Sequence, residues 1–276
     1  MAEPDPPARE ESEGPEWLRT TIGSSAPDRI TVGGRDLPTE VMGRLTLTEL
    51  AYVLVTRREP TPGQRRLVDA VLVSLADHGL TPSALAARLT YTGAPEAVQG
   101  AIAAGLLGAG SVFLGPTGDT AFFLADTLAT HSGDETGDAS LRRIAAVAVE
   151  ECRRAGRRIP GLGHPVHRVE DPRVPRLYEL AADEQLVGPH LRLLALIAEV
   201  HEEMTGRHLP INGAGAGGAA LVDAGIPPGG VRGFALIART AGLVAQLVEE
   251  AEHPIGRRLA DDIERRARYE PPSAGG

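Results

Sequence analysis

The segment from Gly161 to Arg173, GLGHPVHRVEDPR, combines residues that can transfer protons with one that can bind an anion. His164 and His167 stand three residues apart, and Arg173 follows nine residues after the first histidine. Imidazoles donate and accept protons near neutral pH, and a guanidinium forms paired hydrogen bonds to a carboxylate. The flanking Gly and Pro residues contribute little packing. The segment therefore predicts either a turn between helices or, as we favour, the floor of an active site.

Glycine is concentrated in three parts of the chain, with polar residues among them. The sequence has 33 glycines, and the clusters cover residues 105–120, 161–168 and 211–230. Glycine permits positive φ and lets the backbone approach a ligand closely. Helix ends and tight helix crossings also use glycine, so a single cluster would decide little. Three clusters with polar residues favour a binding site.

Bulk composition narrows the class of protein. The chain has 276 residues and is 42% hydrophobic, which is enough for a substantial core. Its single cysteine, Cys152, excludes an internal disulfide framework and suits a reducing compartment. The net charge is −9 and the arginines are scattered, which argues against a nucleic-acid partner. A small anion in a local arginine pocket stays possible.

Neither a secretory signal nor a membrane span is expected. The N-terminus lacks a basic start and an apolar run, and we expect no apolar segment of the roughly 18 residues that span a bilayer. These features predict a cytoplasmic protein. No recognised ligand spacing occurs among the histidines and acids, so we also expect no metal.

The elements that position these residues begin after an acidic, proline-rich stretch. Residues 1–15 predict a disordered tail, and Trp17 is expected to mark the start of order. The alternating run Arg29–Val32, ended by Gly33-Gly34, predicts a strand or small hairpin.

Helical periodicity dominates the rest of the chain and predicts an all-α fold. Thr46 followed by Glu49 has the spacing of a capping box. Aromatic residues make up only 3% of the chain, so the helices must pack through small and aliphatic side chains. Further helices are predicted at about residues 61–78, 81–90, 95–107, 119–130, 139–155, 173–183, 188–205, 216–223, 231–250 and 256–267.

Six motifs together carry a family resemblance. They are DHG at 77–79, GPTGD at 115–119, GLGHPVHRVEDPR, LPIN, FALIARTAGLVAQLVEE and HPIGR. Their order resembles the citrate synthase superfamily, and most closely its short citryl-CoA lyase branch, including the lyase module of ATP-citrate lyases. The resemblance covers roughly residues 17–270, and GxGHPVH…DPR with IARTxG is its most specific part.

The resemblance implies a nearly all-helical homodimer with an active site between a large and a small helical domain. It places the large domain at residues 16–160 and 231–270, the small domain at 161–230, and a second tail at 271–276. The implied chemistry makes or cleaves a carbon-carbon bond between an acyl-CoA and a ketoacid. The implied ligands are a coenzyme A thioester and a small carboxylate.

Such chemistry passes through a thioester enolate and needs a base, an oxyanion donor and a donor to the ketone. The resemblance places His164 where the ketone or alcohol oxygen is polarised. In the cleavage direction we expect that His164 could also act as the base that takes the substrate hydroxyl proton. It places Arg173 and Arg239 where substrate carboxylates are held, and His78 where the ketoacid is contacted. His167 and Asn212 are further expected substrate-binding residues.

Two positions depart from the family pattern. Gly118 stands where the synthases have an enolate-stabilising histidine, and Ala214 stands where the catalytic aspartate is expected. We expect the pocket beside these two small residues to be roomier than in a typical relative. His253 replaces an arginine expected from the partner subunit. Asp119, next to the first vacant position, is our candidate for a displaced acid/base.

Each candidate also has a structural reading. His78 could interact with a helix dipole, and Arg173 or Asp119 could cap a helix. His167 could bond only to backbone. The run RRAGRR at 153–158 is a solvated face or a contact for coenzyme A phosphates. Two functions stay open: a lyase or synthase, and a degenerate paralogue that binds a polycarboxylate or acyl-CoA as a sensor or partner subunit.

Overall fold

The computed structural model describes residues 17–131 and 137–271, and within them the chain is predominantly helical, as predicted. The chain divides into two compact units, Met1–Glu59 and Pro60–Gly276. The predicted disordered tail at 1–15 lies outside the described residues. The large and small domain boundaries inferred from the resemblance stay a prediction.

The first unit contains a small antiparallel sheet in the order β1-β2-β3. Gly33 and Gly34 form the two-residue turn between β2 and β3, and both have positive φ, which such a turn requires. The predicted hairpin is therefore confirmed, with one additional strand. The elements of this unit are β1 (Gly23–Ser25), β2 (Ile30–Val32), β3 (Arg35–Asp36), a π-helical turn (Leu37–Val41) and α1 (Leu47–Thr56).

The second unit is a helical assembly that holds all the predicted site residues. Its described elements are α2 (Pro62–Ala76), α3 (Pro82–Gly93), α4 (Val98–Ala109), a π-helical turn (Gly110–Leu114), α5 (Gly115–His131), α6 (Asp138–Arg154), α7 (Arg173–Asp183), α8 (Pro189–Thr205), α9 (Gly213–Asp223), α10 (Pro228–Glu252) and α11 (Gly256–Arg266).

Local capping fixes several helix starts where the sequence predicts them. Thr46 accepts a hydrogen bond from the Glu49 backbone while Glu49 bonds back to Thr46, a complete capping box. Thr61 and Gln64 form a second capping box at the start of α2. Thr81 caps α3 through its hydroxyl alone, which accepts the Ala84 N–H at 3.4 Å.

The long helix α10 organises the second unit. It packs against α2, α3, α4, α5 and α9, while α5 packs on α9 and α6 on α8. Phe234, Ala235 and Leu243 of α10 are completely or almost completely buried. Removing such side chains from water is the main favourable contribution to folding. This packing brings the loops that follow α2 and α6 to one place.

Helix α5 begins earlier than predicted. The sequence suggested a start at Asp119, whereas the helix begins at Gly115 and continues directly from the π-helical turn. Asp119 therefore lies inside the helix, and the interpretation that it is an N-cap is wrong. Thr117 and Gly118 are buried, so tertiary packing overrides the low helix propensity of glycine here.

Two helical stretches among the described residues are long and apolar enough to cross a membrane by length and composition alone, contrary to our expectation. They are Val98–His131 and Pro228–Glu252. A core helix meets the same criterion, and both stretches pack against other helices of this unit. Length and composition are therefore weak evidence for a membrane span. Both stretches also carry exposed apolar side chains.

Candidate active site

A cavity of about 1470 Å³ lies in the second unit and collects most of the predicted site residues. It exceeds the roughly 300–1000 Å³ of ordinary small-molecule pockets, so it has room for a large ligand. The predicted residues that line it are His78, Asp119, His164, Arg173, Asn212, Ala214 and Arg239. His167 and His253 are not among its lining residues within the described chain.

The hydrogen bonds of His164 define which of its atoms can act on a ligand. Its Nδ1 accepts the backbone N–H of Val166 at 3.1 Å and that of His167 at 2.9 Å. A neutral imidazole with an accepting Nδ1 carries its proton on Nε2. His164 can therefore donate a hydrogen bond to a substrate oxygen, but it has no free lone pair. This overturns our expectation that His164 could serve as the base.

Burial keeps His164 neutral. Desolvation lowers the pKa of His164 below its ordinary value, and the neighbouring His167 lowers it further. Asp171 acts in the opposite direction but does not reverse the shift. At neutral pH the ring is therefore an uncharged donor, as polarisation of a ketone or alcohol oxygen requires.

Three imidazoles meet beside the cavity. The rings of His164 and His167 stack with centroids 4.5 Å apart, and His78 lies 6.2 Å from His164 and 6.3 Å from His167. His167 thus supports the ring of His164 instead of lining the cavity, so direct contact with a substrate, which we expected of it, has no geometric support.

The same three histidines could in principle hold a metal, since their ligating atoms lie within 4.8 Å of one another. A metal-bound histidine normally donates a hydrogen bond from its other ring nitrogen. In His164 that nitrogen is an acceptor instead. Arg173 and Arg239 also line the cavity, and their positive charges disfavour a second cation. These three histidines and two arginines together suit an anionic ligand better than a divalent metal.

Arg173 is fixed by an acid next to it in the sequence. Asp171 is fully buried and pairs with Arg173 through bonds of 2.9 Å from Nε and 2.7 Å from Nη2. Burial alone would raise the pKa of Asp171, yet its hydrogen bonds to Arg173 and to the Gly213 backbone hold that pKa well below its usual range. A further bond joins Arg173 to the Ser74 carbonyl at 3.3 Å. Arg173 begins α7 but is oriented by these partners, with two N–H groups left for a ligand.

Arg239 is a buried charge in the cavity wall with an unpaired nitrogen. It is only 8% exposed, and its Nε has no hydrogen-bond partner among the described residues. Burial lowers the pKa of Arg239, and Asp77 acts against that shift. A buried guanidinium without a direct partner is costly unless an anion binds to it. Its placement in the cavity wall fits that use.

Asn212 fixes the loop that carries His164. Its side chain donates to the Gly163 carbonyl at 2.9 Å and accepts the Gly215 N–H at 2.8 Å, which caps α9. Its backbone N–H also donates to Gly161 at 2.9 Å. Asn212 lines the cavity and anchors the loop through one N–H and the oxygen of its amide, and its expected contact with substrate stays a prediction.

Two of the predicted glycine clusters meet at this loop. A Cβ on Gly215 would lie 2.5 Å from the Gly161 Cα, and Gly161 has a φ of +86°. A Cβ on Gly213 would overlap the guanidinium of Arg173. These glycines therefore permit close approach of the loop, α9 and Arg173, as the clusters suggested.

The two vacant family positions differ in environment. Ala214 lines the cavity, whereas Gly118 is buried and faces α10, where an added Cβ would meet the Arg232 Cβ at 3.1 Å. Our expectation of extra room beside Gly118 is therefore wrong. Asp119 is exposed, lines the cavity and has no hydrogen bond within the described chain.

The cavity wall also contains five further arginines. It contains residues of the RRAGRR run together with others that the sequence analysis did not single out. These lining cations are Arg153, Arg157, Arg158, Arg168 and Arg207. Arg153 pairs with Glu150, so it is partly neutralised. Three arginines of the run line the cavity, so both readings of it, a solvated face and a contact for phosphates, stay predictions.

Comparison with known proteins agrees with this architecture. A citryl-CoA lyase from Hydrogenobacter thermophilus superposes with a TM-score of 0.81 at 29% identity, covering 94% of this chain and 97% of that one. An ATP citrate lyase from Methanosaeta concilii, solved with citryl-CoA, gives a TM-score of 0.72 at 20% identity over 99% of this chain and 46% of that one.

Sequence comparison gives the same family. Mycobacterium tuberculosis has a curated protein named "Putative citrate synthase 2" that is 28% identical over 221 residues. That match covers 78% of this chain and 55% of the relative, so this chain spans about half the length of the curated relatives it matches. The family model described as the citrate synthase C-terminal domain matches residues 27–265. The chain therefore belongs to the citrate synthase family.

Proposed function

We propose that this protein makes or cleaves a carbon-carbon bond between an acyl-CoA and a ketoacid, as a citryl-CoA lyase-like enzyme. The observation that carries the proposal is the pairing, in one cavity, of a neutral donor at His164 with the unsatisfied buried guanidinium of Arg239. A hydroxy polycarboxylate offers a hydroxyl oxygen to His164 and a carboxylate to Arg239. Arg173, held by Asp171, supplies further N–H groups.

In the cleavage direction the substrate hydroxyl loses its proton and becomes a ketone. The bond between the hydroxyl-bearing carbon and the thioester α-carbon breaks, and its electron pair passes into a thioester enolate. A proton from water then adds to the α-carbon of that enolate and gives the shorter acyl-CoA, and the proton taken from the hydroxyl returns to the solvent. His164 donates to the oxygen that becomes the ketone, and backbone N–H groups of the glycine-rich loops are our candidates for stabilising the enolate.

We propose Asp119 as the proton acceptor for the hydroxyl. It is the one carboxylate among the described residues that line the cavity, and no partner occupies it. His164 is unsuitable because its Nδ1 is occupied and its Nε2 carries a proton. A free carboxylate at a cavity wall can accept a proton when a substrate hydroxyl lies within hydrogen-bond reach.

A coenzyme A thioester fits the rest of the cavity. The volume of about 1470 Å³ exceeds what a tricarboxylate alone needs, and the basic wall offers cations for phosphates. The homologous ATP citrate lyase was solved with citryl-CoA, which supports this class of ligand. We propose a polycarboxyl thioester of the citryl-CoA type as the substrate, with no metal required.

The alanine at 214 predicts weak citrate synthesis, and in the cleavage direction the enolate must take its proton from another group or from water. Condensation requires a base to remove the α-proton of the thioester, and no carboxylate stands at Ala214. Loss of a general base typically lowers the rate about 100 to 10,000-fold. We therefore expect citrate formation from acetyl-CoA and oxaloacetate to be very weak.

We further propose a cytoplasmic homodimer. The absence of a disulfide framework suits a reducing compartment, and apolar side chains of α4 and the following π-helical turn, Leu107 at 81% and Val112 at 72%, are exposed in the isolated chain. A second copy would cover them. No observation favours the alternative of a degenerate sensor, and the free Asp119 argues against it.

A direct assay tests the proposal. The pure protein would be incubated with citryl-CoA and related thioesters, and the products followed by mass spectrometry. We expect acetyl-CoA and oxaloacetate in equal amounts from citryl-CoA, and very weak formation of free citrate from acetyl-CoA and oxaloacetate. Binding of citryl-CoA with no product under any condition would instead identify a binding protein. Citrate synthesis at an ordinary enzymatic rate would mean that our placement of the base is wrong.

A further inference from the structure

One face of α10 lies directly against the turn that carries His78. Arg239, Gly242 and Gln246 are separated by three and four residues, so they share that face. A Cβ on Gly242 would overlap the carbonyl oxygen of Ala76, the last residue of α2. The α10 backbone thus contacts the point where the Asp77–Gly79 turn begins.

The carboxylate of Asp77 shapes this turn. Its Oδ2 accepts the backbone N–H of Gly79 at 2.6 Å, and its Oδ1 accepts the side-chain amide of Gln246 at 2.8 Å. Gly79 has a φ of +73°, a conformation that glycine adopts without strain. His78 stands between these two fixed residues and faces the cavity.

The amide of Gln246 can take only one orientation. Its oxygen accepts the Nε–H of Arg88 at 2.7 Å while its nitrogen donates to Asp77. Arginine only donates and an ionised carboxylate only accepts, so a flipped amide would lose both bonds. Arg88 is buried and is itself held by Glu250 at 3.1 Å and by Glu249.

The negative charge of Asp77 also acts on the guanidinium of Arg239. It makes no direct bond to Arg239 in the described structure, but it lies close enough to oppose the effect of burial on that guanidinium. Both oxygens of Asp77 are occupied, so it is not a candidate base. Its contribution must come through the residues it holds.

We propose that Gln246 and Asp77 are positioning residues for this site: the Gln246 amide locks the Asp77 carboxylate, and the locked carboxylate sets the turn that presents His78 to the substrate. The expected effect on turnover rests on the proposed function. The expected effect on the conformation of the His78 turn does not. Nothing in GLVAQLVEE or ADHG alone indicates the contact, because the two residues are 169 positions apart.

Two substitutions separate positioning from folding. Gln246→Leu removes the donor to Asp77, and we expect turnover of citryl-CoA to fall about tenfold or more, because small misplacements of a substrate-contacting group are costly. Gln246→Glu keeps the acceptor for Arg88 but sets a carboxylate against Asp77. A proton shared by such a pair restores the hydrogen bond at acid pH, since each carboxylate raises the pKa of the other.

The expected signature is therefore a pH profile. Gln246→Glu should be about tenfold less active than the parent near pH 8 and should recover as the pH falls towards about 6, because the paired carboxylates take up one proton. Gln99→Leu, on the exposed surface of α4, is the matched control and should leave activity unchanged. A Gln246→Glu profile parallel to that of the parent would overturn the proposal.

A second readout is independent of activity. The imidazole signals of His78 and the exchange rate of the Gly79 amide can be followed by NMR in the folded parent and variants. We expect both to change in Gln246→Leu and Gln246→Glu but not in Gln99→Leu. Unchanged His78 and Gly79 signals would overturn the positioning role. If the parent lacks turnover while these signals change as expected, the proposed reaction fails and the positioning inference stands.

Discussion

The Nδ1 atom of His164 lies 2.9 Å from the backbone nitrogen of His167 and accepts its N–H. This contact sets the tautomer of the ring, because the neutral imidazole then carries its proton on Nε2. The first histidine of the GLGHPVH motif is therefore a hydrogen-bond donor to a ligand, and the base must be another residue. The sequence spacing alone could not distinguish these two roles.

The first prediction concerns the pH dependence of stability. Desolvation and His167 lower the pKa of His164 below 6.5, so the folded state disfavours its protonation. A lowered histidine pKa leaves stability unaffected above the unfolded value and reduces it as the pH falls below about 6.5. His164→Asn keeps an acceptor for the backbone N–H groups but cannot titrate. In thermal melts, the melting temperature of the parent should fall more on acidification than that of this variant. Equal falls in the two proteins would count against a lowered pKa at His164.

The second prediction concerns Arg239. Arg239→Gln should weaken citrate binding about 10 to 100-fold, since hydrogen bonds to charged groups contribute about 1.5–3 kcal/mol. Because the guanidinium is buried with an unpaired Nε, the ligand-free variant should be at least as stable as the parent. Calorimetric titration and melting curves would test both points.

Arg232→Gln is the matched control for Arg239, since Arg232 lies exposed on the same helix. It should alter neither citrate affinity nor melting temperature substantially. If the two variants bind citrate equally well, Arg239 is not part of the anion site.

The third prediction concerns the crossing of α9 with the His164 loop. Gly215→Ala places a Cβ 2.5 Å from the Gly161 Cα, where only backbone can yield. We expect a loss of about 2–4 kcal/mol in the free energy of unfolding, since overpacked sites typically cost about 1–3 kcal/mol and backbone shifts add to this. Gly233→Ala, with nothing within 4 Å of its added Cβ, should be neutral or slightly stabilising. Denaturant unfolding that ranks the two variants equally would refute the close packing.

The features that the sequence predicted well depend on residues close together in the chain. The capping boxes at Thr46 and Thr61 involve residues three apart, so their spacing is visible in the sequence. The start of α5 at Gly115 was missed because burial of Thr117 and Gly118, not helix propensity, holds that turn. Partners distant in sequence were hidden as well: the bond from Gln246 to Asp77 depends on helix packing that no local pattern encodes.

The fourth prediction concerns assembly. Leu107 on α4 is 81% exposed in the isolated chain, which is unusual for so apolar a helix. If a second copy covers it, Leu107→Glu should convert the dimer to a monomer in sedimentation equilibrium. Val73→Glu changes a similarly exposed apolar position on α2, and it should leave the dimer intact if α4 forms the interface. A monomeric parent protein would contradict the predicted homodimer.

The central claim is that this cavity cleaves a citryl-CoA-type thioester with Asp119 as the proton acceptor. The most direct measurement is the initial rate of oxaloacetate release from citryl-CoA by the parent, by Asp119→Asn and by Asp126→Asn, an exposed aspartate on the same helix. We predict steady turnover by the parent and by Asp126→Asn, and a rate about 100 to 10,000-fold lower for Asp119→Asn, the usual cost of losing a general base. Equal rates for all three proteins, or no oxaloacetate from the parent, would contradict the account.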